Sequence, residues 1–323
     1  MSRWRPTSGP ETAKRRATIL RRLRQYFDAQ SVMEVDTPAL STAAVSDVQI
    51  ESMSVSSTLS NAPLFLHTSP EFCMKRLLAS GYPDIYSICR VFRDGEAGRL
   101  HQPEFTMIEW YRLGFQLDEV IADAIAAIAH AMGDQAQIEA FAVVQYQDIF
   151  LDVLGVDPMT ATIDTLAKAA DADADLQEAL GSERDDWLDL LLATQIAPTF
   201  PPDKLTVVTH YPATQAALAR LCSNNPQFAD RFEVFMGSVE LANGYVELTD
   251  VAVQTGRIAA DQAQRKRQGL IERPHDESLI AALDSGLPSC AGVAVGLERL
   301  QMMHDKTDDI RDVIPFVYEN QNG

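Results

Sequence analysis

The chain has 323 residues, with 27 Lys and Arg against 46 Asp and Glu, a formal net charge of −19. A hydrophobic fraction of 46% is ample for a buried core, and no run approaches the ~18–20 apolar residues of a membrane-spanning helix, which argues against a membrane protein. The acidic excess opposes nucleic-acid binding, which rests on neutralising phosphates, although a local basic patch stays compatible with it.

The first segment, MSRWRPTSGPE, has charges but no apolar stretch behind them, so it does not read as a secretory signal. Ser8-Gly9-Pro10-Glu11 starts a helix that runs to about Gln30, with Ile19, Leu20, Leu23, Tyr26 and Phe27 on one face. Lys14, Arg15, Arg16, Arg21, Arg22 and Arg24 crowd the same segment, either as a solvated basic face or as a docking surface for an acidic partner. A short strand over Val32–Asp36 ends at Thr37-Pro38. Residues 43–63 read as strands and loops. Leu64–His67 is a strand, and Thr68-Ser69-Pro70-Glu71 leads into a helix over Phe72–Ser80, where Glu71 suits the helix dipole. Cys73, Cys89, Cys222 and Cys290 are scattered without paired zinc spacing, which predicts a reducing compartment and hence the cytoplasm.

Residues 85–111, IYSICRVFRDGEAGRLHQPEFTMIEWY, read as a long β-hairpin, with strands Ile85–Arg93 and Glu104–Tyr111 around a loop broken by Gly95, Gly98 and Pro103. Alternation puts Phe105, Met107, Glu109 and Tyr111 on one face. An aromatic ring, a carboxylate and a phenol make an odd core face and a plausible ligand face. Arg93, Arg99 and His101 in the loop suit phosphates. The competing reading is a surface hairpin with ordinary salt bridges. Leu117–Met132 is a helix, and residues 145–200 are helical and rich in alanine and aspartate, so a mainly helical subdomain is expected over about 117–200 of one catalytic domain spanning 1–323. Leu205–Thr209 is a strand, His210 at its end is a structural histidine, and Ala213–Leu221 opens a helix.

In VFMGSVELANGYVELTD, residues 234–250, Asn243-Gly244 predicts a two-residue type I′ turn. That register sets Ala242 against Tyr245, Leu241 against Val246 and Glu240 against Glu247. Opposed carboxylates repel; they want a cation such as Mg²⁺, a raised pKa, or they splay into solvent. Near the end, Gly292, Ala294 and Gly296 place small residues at alternate positions, which permits close approach of a ligand.

These segments together resemble the class II aminoacyl-tRNA synthetases, most closely the lysyl-tRNA synthetase branch. FRDGEAGRLHQPEFTMIEWY is similar to motif 2, with Phe92-Arg93, a loop, and His101-Gln102-Pro103-Glu104-Phe105-Thr106-Met107. It departs from the family at Gly95, where an acid is usual, although Asp94 and Glu96 flank it. The helix, strand and Pro38 near the start resemble motif 1, which implies a homodimer. GVAVGLER, residues 292–299, resembles motif 3. The resemblance implies an α+β fold, a class II synthetase-like antiparallel sheet flanked by helices. It also implies ATP and Mg²⁺, with Arg93 on the α-phosphate, Arg299 on the γ-phosphate and Phe105 on adenine. His101, Asp94, Gly95, Leu241 and Gly296 complete the ATP set, and Glu240 and Glu247 hold the metal. Ser69, Glu71, Glu109, Tyr111, Asn243, Glu247 and Ala294 are implied to bind the amino acid. No N-terminal anticodon-binding OB domain fits before motif 1, and Ala294 stands where lysyl-tRNA synthetases tend to have glycine. Both details, with the charge, resemble a truncated branch that serves a protein instead of tRNA. This implies activation of (R)-β-lysine and its transfer to a lysine side chain of elongation factor P, with no tRNA substrate. Alternatives are a free-standing aminoacyl-tRNA synthetase, an amide-forming paralogue using another amino acid, and a binding module that has lost catalysis.

Overall fold

A computed structural model describes residues 4–58, 60–133 and 141–318. Helix α1, Pro10–Ala29, starts with Pro10 in its first turn and buries Ile19, Leu23 and Phe27 at fourfold spacing. Strand β1, Met33–Glu34, is followed by β2 (Leu40–Ser41), β3 (Ser54–Val55) and β4 (Leu64–Leu66), then by helix α2, Glu71–Ala79. The expected hairpin forms as β5, Ile85–Phe92, and β6, Glu104–Leu113, and the helix after it, α3, spans Leu117–Met132. Next come β7 (Phe141–Gln145), α4 (Tyr146–Leu154), α5 (Ile163–Ala169), α6 (Ala174–Leu180), α7 (Arg184–Leu191) and β8 (Leu205–Thr209). The chain closes with β9 (Arg231–Met236), β10 (Val239–Val246), α8 (Val251–Arg267), α9 (Glu277–Gly286), β11 (Cys290–Gly296) and α10 (Leu297–Asp305).

Eight strands make one sheet in the order β1-β5-β6-β11-β10-β9-β8-β7. Its six central strands, from β5 to β8, are antiparallel, while β1 and β7 pair in parallel at the two edges. This is the α+β, class II synthetase-like sheet that the resemblance implies, with mixed edges. The strands β2, β4 and β3 form a separate small sheet.

One face of the large sheet is apolar, with Ile108, Trp110, Val234, Leu241, Val293 and Val295 packed against α1, α3 and α10. The opposite face is polar and carries the candidate site. The segment expected as a helical subdomain over about 117–200 divides between two cores. Helix α3 belongs to the main core. A second core, from Tyr146 through Trp187 to Phe235, gathers α4–α7 on the β7–β9 end of the sheet.

Three expectations need correction. Asn243-Gly244 is not a turn: both lie within β10, where Asn243 pairs with Glu233 and Ala294, and Gly244 with Phe232 and Val293. The turn is six residues upstream, where Met236 pairs with Val239 across Gly237-Ser238 and Gly237 adopts φ +56. Gly244 serves packing instead. A Cβ on it would lie 2.7 Å from the Phe232 ring and 2.8 Å from the Gly292 carbonyl oxygen, so only glycine lets the neighbouring strands close there. Second, Ala213–Leu221 holds only a short 3₁₀ turn at Ala213–Gln215. Third, the basic residues of α1 are neither purely solvated nor free for a partner. Arg16 binds Glu298 and Thr106, Arg15 binds Asp305, Arg22 donates to the end of α3, and Arg24 pairs with Glu34.

Candidate active site

Strand pairing builds the site row by row, because directly opposed residues share a sheet face. In one row, Ser87 opposes Glu109, Glu109 opposes Ala294, Ala294 opposes Asn243, and Asn243 opposes Glu233. In the next, Ile85, Tyr111, Gly292, Tyr245 and Arg231 follow the same order. A cavity of 890 Å³ opens on this face, roofed by residues 40–50, α2 and α8. Ser69, Glu71, Arg93, Glu109, Tyr111, Asn243, Glu247 and Ala294 all line it, so the whole expected amino-acid set converges there.

A β-bulge decides what β10 offers. Pairing with β9 shifts register between Glu240 and Ala242, which adds one residue to the strand. Glu240 and Asn243, three positions apart, therefore look the same way, and Tyr245 and Glu247 continue that face by ordinary alternation. Leu241 is turned to the other face and buried in the α3 core, so its side chain takes no part in the site.

The anionic floor is dense. Glu109 is 3% exposed and Glu247 2% exposed. The Tyr111 hydroxyl donates to Glu109 Oε1 at 2.8 Å, and the Tyr245 hydroxyl to Glu71 Oε1 at 2.7 Å. Lys75 Nζ sits between Glu71 Oε1, at 2.6 Å, and Glu247 Oε2, at 2.5 Å. Burial, reinforced by Glu71, pushes the Glu109 carboxyl up to about 8. Burial likewise pushes Glu247 up to about 8, against the pull of Lys75. Such a cluster favours cationic groups.

A second group starts at the cavity edge with Arg93 and extends beyond it, at the junction of β10, α10 and the β5–β6 loop. Arg299 donates to Glu240 Oε2 at 3.1 Å and, through its other terminal nitrogen, to His101 Nε2 at 2.7 Å. Burial and the Arg299 charge lower the His101 pKa, which keeps the imidazole a neutral acceptor. The Arg93 guanidinium lies over the Phe105 ring, 5.2 Å from its centroid. Gly95 adopts φ +78. Of the two acids beside it, Glu96 reaches Arg93, at 3.7 Å, whereas Asp94 accepts from the Gly95 amide. Gly296 follows Gly292 and Ala294 on the same face of β11, opposite Met107.

The expected metal pair also needs correction. Glu240 and Glu247 are seven positions apart on one strand, on the order of 20 Å at about 3.3 Å per residue, so one ion does not bridge them. The carboxylate that pairs electrostatically with Glu240 is Glu233, on the other arm of the β9–β10 hairpin. Burial and the Glu240 charge together push Glu233 up to about 7, while Arg231 binds it at 2.6 Å. Two carboxylates on one face of a hairpin are a fitting donor set for a hard divalent cation. Glu233 was missed because the hairpin was centred on Asn243-Gly244, which leaves position 233 outside it. Lys75 was missed too, although its place four residues after Glu71 on a helix predicts the contact.

Comparison with known proteins follows the same line. Residues 3–320 match the family described as tRNA synthetases class II (D, K and N). The chain is 43% identical over 319 residues, 97% of each chain, to the elongation factor P–(R)-beta-lysine ligase of Pseudoalteromonas translucida. It is 42% identical over 327 residues to the ligase of the same name from Vibrio cholerae, and 39% over 323 residues to that of Sodalis glossinidius, with 98% of each chain covered in both cases.

Proposed function

Because the chain belongs to the class II tRNA synthetases (D, K and N), we propose that it is an ATP-dependent, AMP-forming ligase that activates (R)-β-lysine and transfers it to a lysine side chain of elongation factor P. The observation that carries this reading is the buried cavity in which Glu71, Glu109 and Glu247 converge. Three carboxylates around one internal ammonium leave net negative charge for a substrate with two ammonium groups. The names of the curated relatives support the same substrate and acceptor.

In the first step the substrate carboxylate attacks the ATP α-phosphorus in line, the α–β bridge breaks, and pyrophosphate leaves. Positioning and charge stabilisation supply most of such a rate. Glu71, Glu109 and Glu247 hold the ammonium groups, Tyr111 orients Glu109, and Ser69 and Asn243 line the same wall. Arg93 takes the α-phosphate and Arg299 the γ-phosphate, with His101 beside it. Phe105 offers its ring to adenine, the Asp94-Gly95 loop and Gly296 border the nucleotide, and Leu241 contributes backbone only. Glu240 with Glu233 would hold Mg²⁺, which neutralises phosphate charge when bound. In the second step the acceptor lysine, arriving as the free amine, attacks the adenylate carbonyl. The new amide forms as its nitrogen gives up a proton to the departing phosphate, the carbonyl–phosphate bond breaks, and AMP leaves. Ala294 adds a methyl group opposite Asn243 and Glu109, which suits the displaced skeleton of a β-amino acid. A homodimer through α1 and β1, a cytoplasmic location and no use of tRNA complete the reading.

Intact-mass analysis tests it. The protein, ATP, Mg²⁺ and (R)-β-lysine are incubated with unmodified elongation factor P in one tube and tRNA in another. The expected result is one β-lysyl addition on the factor and uncharged tRNA. Charged tRNA with an unmodified factor overturns the reading in favour of a minimal synthetase.

A further inference from the structure

The Lys75 ammonium is placed between two of the substrate carboxylates. Two of its bonds go to Glu71 Oε1 and Glu247 Oε2, and its third side faces the Tyr245 ring, 5.6 Å from the centroid. The side chain is 3% exposed, so it is sealed behind the carboxylates it binds. By taking one oxygen of each, it fixes which oxygen remains. Both Glu247 oxygens are buried and without a hydrogen bond among the described residues, but Oε2 has its ion pair with Lys75, which leaves Oε1 with neither. It lies 2.5 Å from where a Cβ on Gly292 would stand, and Gly292 lines the cavity. That oxygen therefore lies at the cavity wall beside Gly292.

We propose that Lys75 is a positioning residue for the substrate amines, an internal counter-ion that locks Glu71 and Glu247 in place and leaves Glu247 Oε1 as the ammonium acceptor. The inference rests on the proposed role of this cavity in binding a diamino acid. Among the described residues, the titratable groups facing Lys75 are Glu71 from its own helix, Glu109 from β6, Glu247 and Tyr245 at the end of β10, and Cys290 on β11. With Lys75 charged, the three carboxylates keep two net negative charges once the substrate has ionised them, one for each of its ammonium groups. Without it, their mutual repulsion holds the protons more tightly, and the substrate must expel them at greater cost.

The test compares Lys75→Gln, which keeps volume and donors but loses charge, with Lys75→Arg, which keeps charge. ATP–pyrophosphate exchange with (R)-β-lysine is followed from pH 6 to 9, and circular dichroism checks folding. For Lys75→Gln, KM for (R)-β-lysine is expected to rise about 30-fold or more with KM for ATP nearly unchanged. The acid limb of kcat/KM is expected to move up by about one pH unit. Lys75→Arg is expected to keep the wild-type limb. A Lys75→Gln enzyme with unchanged KM overturns the proposal, and so does a raised KM without a displaced limb, which marks a merely structural lysine. Should Lys75→Gln not fold, a displaced limb in Lys75→Arg overturns it and a retained one supports it. Wild-type enzyme that gives no exchange with (R)-β-lysine refutes the substrate reading first, and the inference with it.

Discussion

Gly292 gives the sharpest test of the cavity's geometry. It sits between Tyr111 on β6 and Tyr245 on β10, in backbone that any residue can adopt. What excludes a side chain is space. A Cβ there would lie 2.5 Å from Glu247 Oε1, 2.6 Å from Tyr111 Cε1 and 3.0 Å from Tyr111 Cδ1. Both neighbours are about 2% exposed and have no room to retreat. Gly292→Ala therefore pushes the carboxylate or the phenol aside by about 1 Å, an overpacking cost of about 1–3 kcal/mol. At about 2–4 °C per kcal/mol for a large domain, Tm falls by several degrees. The functional loss is larger, since a displacement of about 1 Å in a binding group costs on the order of 100-fold. Pyrophosphate exchange should show this in KM for the amino acid, with KM for ATP spared. Gly296 supplies the control on the same strand face. A Cβ there meets nothing within 4 Å, so Gly296→Ala should fold with wild-type Tm and alter only the ATP dependence. A Gly292→Ala enzyme with wild-type Tm and KM would refute the reasoning, because Glu247 and Tyr111 would then not be held where the packing places them.

Ala294→Gly should shift the enzyme from (R)-β-lysine toward α-lysine; an unchanged preference in competitive exchange assays would remove the methyl group as a discriminator. Glu233→Gln should raise the Mg²⁺ concentration needed for half-maximal exchange by tenfold or more, and a Mg²⁺ titration identical to wild type would break the Glu233–Glu240 pairing. Glu109 and Glu247 are raised to about 8 by burial, so the folded state holds protons that the unfolded chain has already lost above its ordinary carboxylate range. Stability of the ligand-free protein should therefore be fully present at low pH and decline from about pH 5 through 8. Saturating (R)-β-lysine, which favours the ionised carboxylates, should narrow that decline, and Tm curves parallel with and without ligand would contradict it.

The hairpin β5–β6 and the helix α3 are legible because each is a local pattern: alternation around a glycine-broken loop, and apolar residues at helical spacing. The site face of β6 follows from alternation alone. The β9–β10 region is not legible in the same way. Asn-Gly is a strong turn signal only where the chain is free to reverse, and here strands on both sides claim Asn243 and Gly244 for the sheet. The close approach that excludes a Cβ at Gly244 comes from Phe232 and Gly292, which are distant in sequence. The misplaced turn then misplaced the metal partner, since Glu233 faces Glu240 only when Gly237-Ser238 is the corner. That Glu240 and Glu247 share a face held nonetheless, through the bulge instead of the turn. The basic residues of α1 show the same limit: composition reports their charge, but Glu298 and Asp305, which neutralise two of them, lie almost the whole chain away.

The extra residue at Leu241 also sets a reading frame for the strand. Its loss would leave Glu240 and Asn243 two positions apart, in the unbroken register Glu240–Phe235, Ala242–Val234 and Asn243–Glu233, with both still above the sheet. A change that instead drew Leu241 into the ladder would keep the chain length yet reverse every side chain before it, and Glu240 would turn beneath the sheet into the apolar layer under α3 while Asn243, Tyr245 and Glu247 stayed above it. The nucleotide half and the amino-acid half of the site are thus coupled by a leucine that stays out of the pairing.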